Sequence, residues 1–218
     1  MPLRESAAAF SLAESTYALH MSLVEDHRRL RRARDHAATR ESILAAARHV
    51  ANRDGARELS LRGVAAEAGY APAALYGYFR NKDELLLALA AEDLAGLARS
   101  MREAAQASGG AKLSAAASVA MDRLETAEAI AAASSALPKV AGTSDSERLF
   151  NGRMIAVLTA LSEALGDGVS RDAQADVVLI AATLTGLALL KRSGRLDALG
   201  FGNAELLARL ERKFSGGF

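Results

Sequence analysis

An all-helical fold follows from three features of the sequence. Ala supplies 50 of the 218 residues, Pro supplies only 3, and β-branched residues are sparse. Ala is the best helix former and Pro the worst, while strands draw on the residue types that are scarce here. The length suits one large domain or two small ones, with ample chain to bury a core. A charged fraction of 24% is ordinary and argues against wholesale disorder.

Leu12, Leu19, Leu23 and Leu30 recur at intervals of seven and four, which predicts an amphipathic helix over 11–34. Its second half is the basic run His27-Arg28-Arg29-Leu30-Arg31-Arg32-Ala33-Arg34, and Met21 inside the segment is a candidate alternative translation start. A separate helix is predicted over 40–53 with Thr39 as its cap. Ile43, Leu44, Ala47, Val50 and Ala51 keep the helical period there, and Gly55 closes it. Ser60 opens a short helix by offering its hydroxyl to a first-turn N–H. Leu61, Val64, Ala65 and Ala68 form its inner face, and Gly69 turns the chain sharply. Pro72, preorganised for the first helical position, starts the next helix, which runs to about Phe79. Asn81 with Glu84 forms a capping box for a long helix reaching Gln106. Past the break at Ser108-Gly109-Gly110, helices are expected over 113–136 (stopped by Pro138), 145–165 (ended by Gly166 and Gly168), 171–193 and 203–214.

Several chemistries are excluded by composition. Cys is absent, and the four His stand at 20, 27, 36 and 49, so residues 50–218 hold neither. Thiolate chemistry is thereby removed from the whole chain, and histidine chemistry from its last three quarters. The acids of 107–218 are scattered, with no Glu-x-x-His, phosphate loop or serine elbow. No catalytic residue, metal site or cofactor is expected. Ala7-Ala8-Ala9-Phe10 is followed at once by Ser11 and Glu14, so no signal-peptide core develops. The apolar stretch Val177–Leu190 falls short of the ~20 residues of a bilayer span and is interrupted by Thr183, Thr185 and Gly186. The expectation is a buried helix in a cytoplasmic protein with no membrane partner.

Net charge is +1 but unevenly placed. Residues 1–26 carry one Arg and four acids, 27–83 carry twelve Arg/Lys and six acids, and 84–218 carry fourteen and sixteen. The basic segment is either a polyanion-binding surface or a solvated helix face.

The stretch Ser60–Phe79 has the layout of a helix-turn-helix, with Leu61, Val64, Leu75 and Phe79 expected to share a small core with Ile43 and Leu44. In that layout the second helix enters the major groove while helix ends and polar side chains hold phosphates. The string Thr39–Leu89 is more specific. Thr39-Arg40, Ser60-Leu61, Ala68-Gly69, Ala74-Leu75-Tyr76, Phe79, Asn81-Lys82 and Leu85 stand in ungapped order, and together they closely resemble the N-terminal domain of TetR-family transcriptional regulators. The resemblance implies a homodimer reading a double-stranded DNA operator through the helix at Pro72. It implies phosphate contacts from Tyr76 and Lys82, and backbone-gripping positions at Arg40 and Ser60 at helix starts. The groove-facing set is then Ala71, Pro72, Ala73, Ala74 and Tyr78. That set departs from the family pattern: Ala71 replaces a frequent Ser, Pro72 a polar or basic residue, and Gly77-Tyr78 a frequent His pair. Few side-chain donors remain for base edges, so readout is expected to rest on thymine methyls, Tyr78, backbone groups and DNA shape.

Residues 107–218 carry no motif of their own. By the resemblance they enclose an effector, which the residue types make small and apolar: the stretch has no Trp, Tyr, His or Cys. Met101, Met121, Leu124, Met154, Leu158 and Leu161 are the expected lining, with Thr126 and Thr159 as hydrogen-bond donors. The helix 171–193, with Ala182 and Gly186 four apart, and the helix 203–214, with Leu206, Leu207 and Leu210, are the expected dimer interface. The domain plan is an extension over 1–38, basic at 27–36; a helix-turn-helix domain over 39–84; and an effector and dimerisation domain over 85–218. A non-catalytic helical carrier or partner-binding module is the alternative, and a carboxylate-dependent enzyme is weaker still.

Overall fold

The structure, a computed structural model, describes residues 3–126, 130, 144–166 and 170–214, with side chains from Glu25 onward. Among these residues every regular element is helical. The order is α1 (Leu3–Asp54), a single 3-10 turn (Ala56–Glu58), α2 (Leu61–Ala68), α3 (Pro72–Leu75), α4 (Lys82–Ala107) and α5 (Lys112–Thr126). There follow α6 (Asp145–Leu165), α7 (Arg171–Arg192), α8 (Arg195–Ala198) and α9 (Asn203–Phe214). The predicted helix end at 131–136, Pro138 and Gly168 lie outside the described residues.

The chain divides into two compact units, Met1–Ala45 and Ala46–Phe218. The first holds the uninterrupted run of α1 from Leu3 to Ala45, which corrects the expected break before Arg40. Thr39 caps nothing; its hydroxyl donates to the Asp35 carbonyl one turn back, at 2.9 Å. The intervening Asp35-His36-Ala37-Ala38 contains neither Gly nor Pro, and two alanines favour continuation. A threonine caps only where backbone N–H groups are left open, and in a running helix they are already bonded.

In the second unit the punctuation follows local chemistry. Gly55, at φ 93°, ends α1. Ser60 caps α2, its Oγ accepting the Gly63 N–H at 3.1 Å, and Gly69 ends α2 in the left-handed region at φ 74°. No atom would obstruct a Cβ at Gly69, so a substitution there meets backbone strain alone. Gly69→Ala is therefore expected to cost about 1–2 kcal/mol, read as a lower urea midpoint with an unchanged slope.

Helix α3 is shorter than predicted. After Leu75 the Gly77 and Tyr78 N–H groups bond three residues back, to Ala74 and Leu75, which tightens the coil into a turn. Gly77, a poor helix former, sits where the regular helix stops. Asn81 caps α4, its Oδ1 accepting the Glu84 N–H at 2.9 Å. Glu84 does not complete the box on Asn81; its carboxylate instead accepts the Arg80 N–H at 2.8 Å.

Helix α4 is the centre of the bundle. It packs along α6 and α5, and α5 in turn meets α6, α7 and α9. Leu94, Leu97, Met101, Leu113, Phe150, Leu161, Ile180 and Leu184 form the core. From Leu85 to Ala91 seven consecutive residues of α4 are buried, so this stretch has no solvent face. Ser144 and Glu147 make a reciprocal capping box at the start of α6. Lys191 of α7 reaches Glu125 of α5 at 2.7 Å, and that hydrogen bond raises its pKa above the ordinary lysine value.

Helix α7 buries one stripe, Ala173, Val177, Ile180, Leu184 and Ala188, and leaves another bare. Val178, Leu179 and Leu189 are each 57% exposed. By length and composition α7 is apolar enough to cross a membrane, yet only 28% of its most apolar window is buried within the chain. Leu207 and Leu210 of α9, expected at a subunit surface, belong to the chain's own core. Exposed apolar side chains in this part of the chain are instead Leu199 and Phe201, beside the short helix α8 that the sequence pattern did not suggest.

Candidate nucleic-acid interface

The helix-turn-helix presents an unusually small outer face. Leu61, Val64 and Ala65 of α2 and Leu75 and Phe79 at α3 are buried. Ala71, Pro72, Ala73, Ala74, Tyr76 and Gly77 all face solvent. Burying Leu75 and Phe79 fixes the rotation of α3, so what points outward is nearly featureless apart from Tyr76. That side chain is 62% exposed, and its hydroxyl has no hydrogen-bond partner among the described residues. Tyr78, by contrast, is half-buried. A shallow, methyl-rich helix with one projecting phenol can approach a groove floor closely, because nothing long stands in the way.

Lys82 begins α4 and is half-buried, donating from Nζ to the Arg57 carbonyl. This tie joins the 3-10 turn to the head of α4, and sequence spacing gave no hint of it. Arg57, Arg62 and Arg80 are exposed basic side chains of the same unit that the sequence pattern did not single out. Ser60 is exposed, with its Oγ engaged as the cap of α2. Arg40, described within the first unit, is half-buried in mid-helix rather than at a helix start, because α1 is continuous.

A charged cluster holds α2 to the end of α1. Glu67 accepts from Arg53 Nη1 at 3.0 Å and pairs with His49, while Arg53 also grips Asp54. The Arg53 hydrogen bond, then that of His49, hold the Glu67 carboxyl below the usual range. A carboxylate depressed in the folded state binds fewer protons than in the unfolded chain. Its contribution is complete above the ordinary glutamate pKa of about 4.3 and is lost as pH falls through the folded value. Glu67→Gln is thus expected to lower the urea midpoint at neutral pH, where the contribution is complete, and to flatten the acid limb of stability below about pH 4.5, as checked by urea midpoints across pH. Farther along α4, Arg48 binds Asp93 and, at 3.2 Å, Glu92. Burial works against the Arg48 charge, but the bonds to Asp93 and Glu92 outweigh it and raise its pKa.

Residues 43–89 match the family model of bacterial regulatory proteins of the tetR family. That stretch is a tetR-family domain. The match takes in α2, α3 and the head of α4. Over 62 residues the chain is 47% identical to the HTH-type nicotine-responsive transcriptional repressor HdnoR of Paenarthrobacter nicotinovorans. That alignment takes in 28% of this chain and 32% of the repressor, so the chain matches about a third of its curated relative's length. Among solved structures, a protein of unknown function from Rhodococcus sp. RHA1 is 27% identical, with a TM-score of 0.63 over 83% of this chain and 95% of that one. BioQ with its double-stranded DNA operator is 23% identical, with a TM-score of 0.54 over 82% of this chain and 98% of that one, a likeness of fold. These two extend the similarity from the TetR-family head into the helical bundle.

The residues expected around an effector divide by burial. Met101, Met121 and Leu161 are fully buried in the core, and Leu124, Met154 and Leu158 pack half-buried against it. None of the six lines the cavity of about 680 Å³ between the end of α1, α4 and α5. Its wall is more polar than expected, with Arg48, Asn52, Asp93 and Arg123 beside Leu97, and Thr126 on its rim. The Thr126 and Thr159 hydroxyls donate within their own helices, Thr159 to the Ile155 carbonyl at 2.9 Å. No group of three or more His, Asp or Glu among the described residues is placed to hold a metal.

Proposed function

We propose that this protein is a ligand-responsive, dimeric DNA-binding transcriptional regulator, acting in the cytoplasm as a repressor released from a palindromic operator by a small effector. The observation that carries the reading is the rigid outward presentation of Pro72–Ala74 and Tyr76 by a family helix-turn-helix whose inner residues are buried. Ala71, Pro72, Ala73, Ala74 and Tyr78 form the groove-facing set, and Tyr76, Lys82, Ser60 and Arg40 the phosphate-holding set. Methyl contacts and groove shape carry specificity on such a face, since it offers few donors.

The domain plan is an extension over 1–38, a reading domain over 39–84 and a responding domain over 85–218. The dimer forms through the bare stripe of α7, with Leu199 and Phe201 at its margin. The effector enters among Met101, Met121, Leu124, Met154, Leu158 and Leu161. Those residues are closely packed, so a ligand must part α4 from α5 and α6 to enter. Such a ligand favours the arrangement in which α4 has moved, and it thereby draws the population away from the DNA-competent spacing.

Selection from randomised duplex DNA at two salt concentrations tests the reading. A two-fold symmetric sequence with half-sites about one helical turn apart is expected. No enrichment at either salt, with apo protein recovered by unfolding and refolding, would favour a ligand carrier whose helix-turn-helix is structural.

A further inference from the structure

We propose that the basic segment of α1, Arg28–Arg34, is a second DNA-binding surface, holding duplex phosphates. The proposal rests on the DNA-binding reading above. Arg28, Arg29, Arg31, Arg32 and Arg34 fall within seven consecutive residues, and all five are exposed. Among the described residues none of them is in an ion pair or hydrogen bond, although Glu25, Asp26 and Asp35 stand within a turn on the same helix.

The run sets like charges one turn apart, against opposite-charge spacings of Glu25 with Arg28 and Arg29, Asp26 with Arg29, and Asp35 with Arg31 and Arg32. Arg28 faces Arg31 and Arg32 at spacings of three and four, Arg29 faces Arg32, and Arg31 faces Arg34. Like charges at those spacings destabilise a helix by about 0.2–0.5 kcal/mol per pair. A polyanion removes the repulsion.

Helical phase supports a single binding face. At about 100° per residue, Arg28, Arg29, Arg31 and Arg32 share an arc of about 160° that also takes in Glu25 and Asp35, while Arg34 falls outside it with Leu30, Ala33 and Ala37 on the opposite side. The run is about 9 Å long, and a duplex carries one charge per ~1.7 Å of axis. Phosphates are therefore dense enough to meet each guanidinium on the arc. Arginine suits them because its planar fork binds two oxygens at once.

A membrane surface fits less well. An interfacial helix needs a broad apolar face opposite its charges, and Leu30 is the single large apolar side chain from His27 to Arg40. The run also stands nine positions before residue 43, where the match to the DNA-binding family begins.

The test compares the full chain with a variant carrying R28Q, R29Q, R31Q, R32Q and R34Q. Gln matches Arg in helix propensity, and circular dichroism checks that helicity is kept. Affinity for the selected operator duplex and for a mixed-sequence duplex is measured across salt. The slope of log K against log salt is expected to fall by about 3 for each arm, because roughly three to four phosphates are no longer neutralised. Low-salt affinity is expected to drop by at least tenfold on both duplexes. The corresponding Arg→Lys variant is expected to keep the parent slope.

An unchanged slope and affinity in the Gln variant, with the parent binding its operator, overturns the arm and leaves the helix-turn-helix reading standing. Failure of the parent to bind any duplex overturns both. Parent binding to phosphatidylserine vesicles that the Gln variant loses, with DNA slopes equal, assigns the segment to a lipid surface and also overturns the proposal.

Discussion

The double variant Tyr76→Phe, Lys82→Ala is expected to lose about a hundredfold in affinity for operator and non-operator duplex alike, while keeping the parent's oligomeric state. A hydrogen bond to a charged group contributes about 1.5–3 kcal/mol, so removing two such bonds at a half-site gives at least that factor. Phosphate contacts carry no sequence information, hence the uniform loss across duplexes. The two substitutions are not equally clean. The Tyr76 hydroxyl has no partner among the described residues, so removing it leaves the fold untouched. Lys82 ties the Arg57 carbonyl to the head of α4, so its loss also loosens the 3-10 turn. The single Tyr76→Phe variant separates the effects: a drop of about tenfold at unchanged thermal stability belongs to DNA contact alone. Undiminished affinity in the double variant would overturn the assignment of both side chains to phosphates.

Val178→Glu with Leu189→Glu is expected to turn a dimer into monomers and, through that, to abolish tight binding to a palindrome. Both positions are more than half exposed in the isolated chain, and Glu is a good helix former, so the subunit itself has no reason to unfold. In a two-fold interface each residue occurs twice, so two substitutions remove four apolar side chains and insert four charges. Burial of one such side chain contributes about 1.5–3 kcal/mol, and a thousandfold weaker association is a conservative expectation. Sedimentation across a concentration series reads this directly. DNA binding falls further than the monomer's own contacts require, because two linked half-site contacts become one. A parent that sediments as a monomer at every concentration would remove α7 from the interface.

Much of the framework was legible because helix ends are decided by single residues. Asn81 and Ser60 cap where a cap was readable, and Gly69 and Gly166 adopt the left-handed backbone their positions demand. Thr39 shows where that logic stops. A threonine ahead of a periodic run looks like a cap, but capping also requires that the preceding residues leave the helix, and Asp35–Ala38 do not. Burial was legible as a stripe and not as a partner. Leu206, Leu207 and Leu210 have the spacing of an interface, yet Leu207 and Leu210 close the chain's own core, while the bare apolar surface lies on α7. Cross-chain ties such as Glu67 with His49 and Arg53, or Lys82 with Arg57, have no signature in one dimension because their members stand 14 to 25 positions apart.

The seven buried residues from Leu85 to Ala91 have a mechanical consequence. A helix packed on every side cannot absorb a push by letting one side chain rotate, because its neighbours occupy the space. It can only tilt as a rod. Helix α4 is about 39 Å long, so a tilt of about 5° at one end displaces the other by roughly 3 Å. The head of α4 adjoins the turn that carries Tyr76, and a displacement of that size is comparable to the ~3.4 Å rise of one base step. On the proposed reading, a ligand that parts α4 from α5 and α6 and so tilts it shifts the turn carrying Tyr76 by about the rise of one base step.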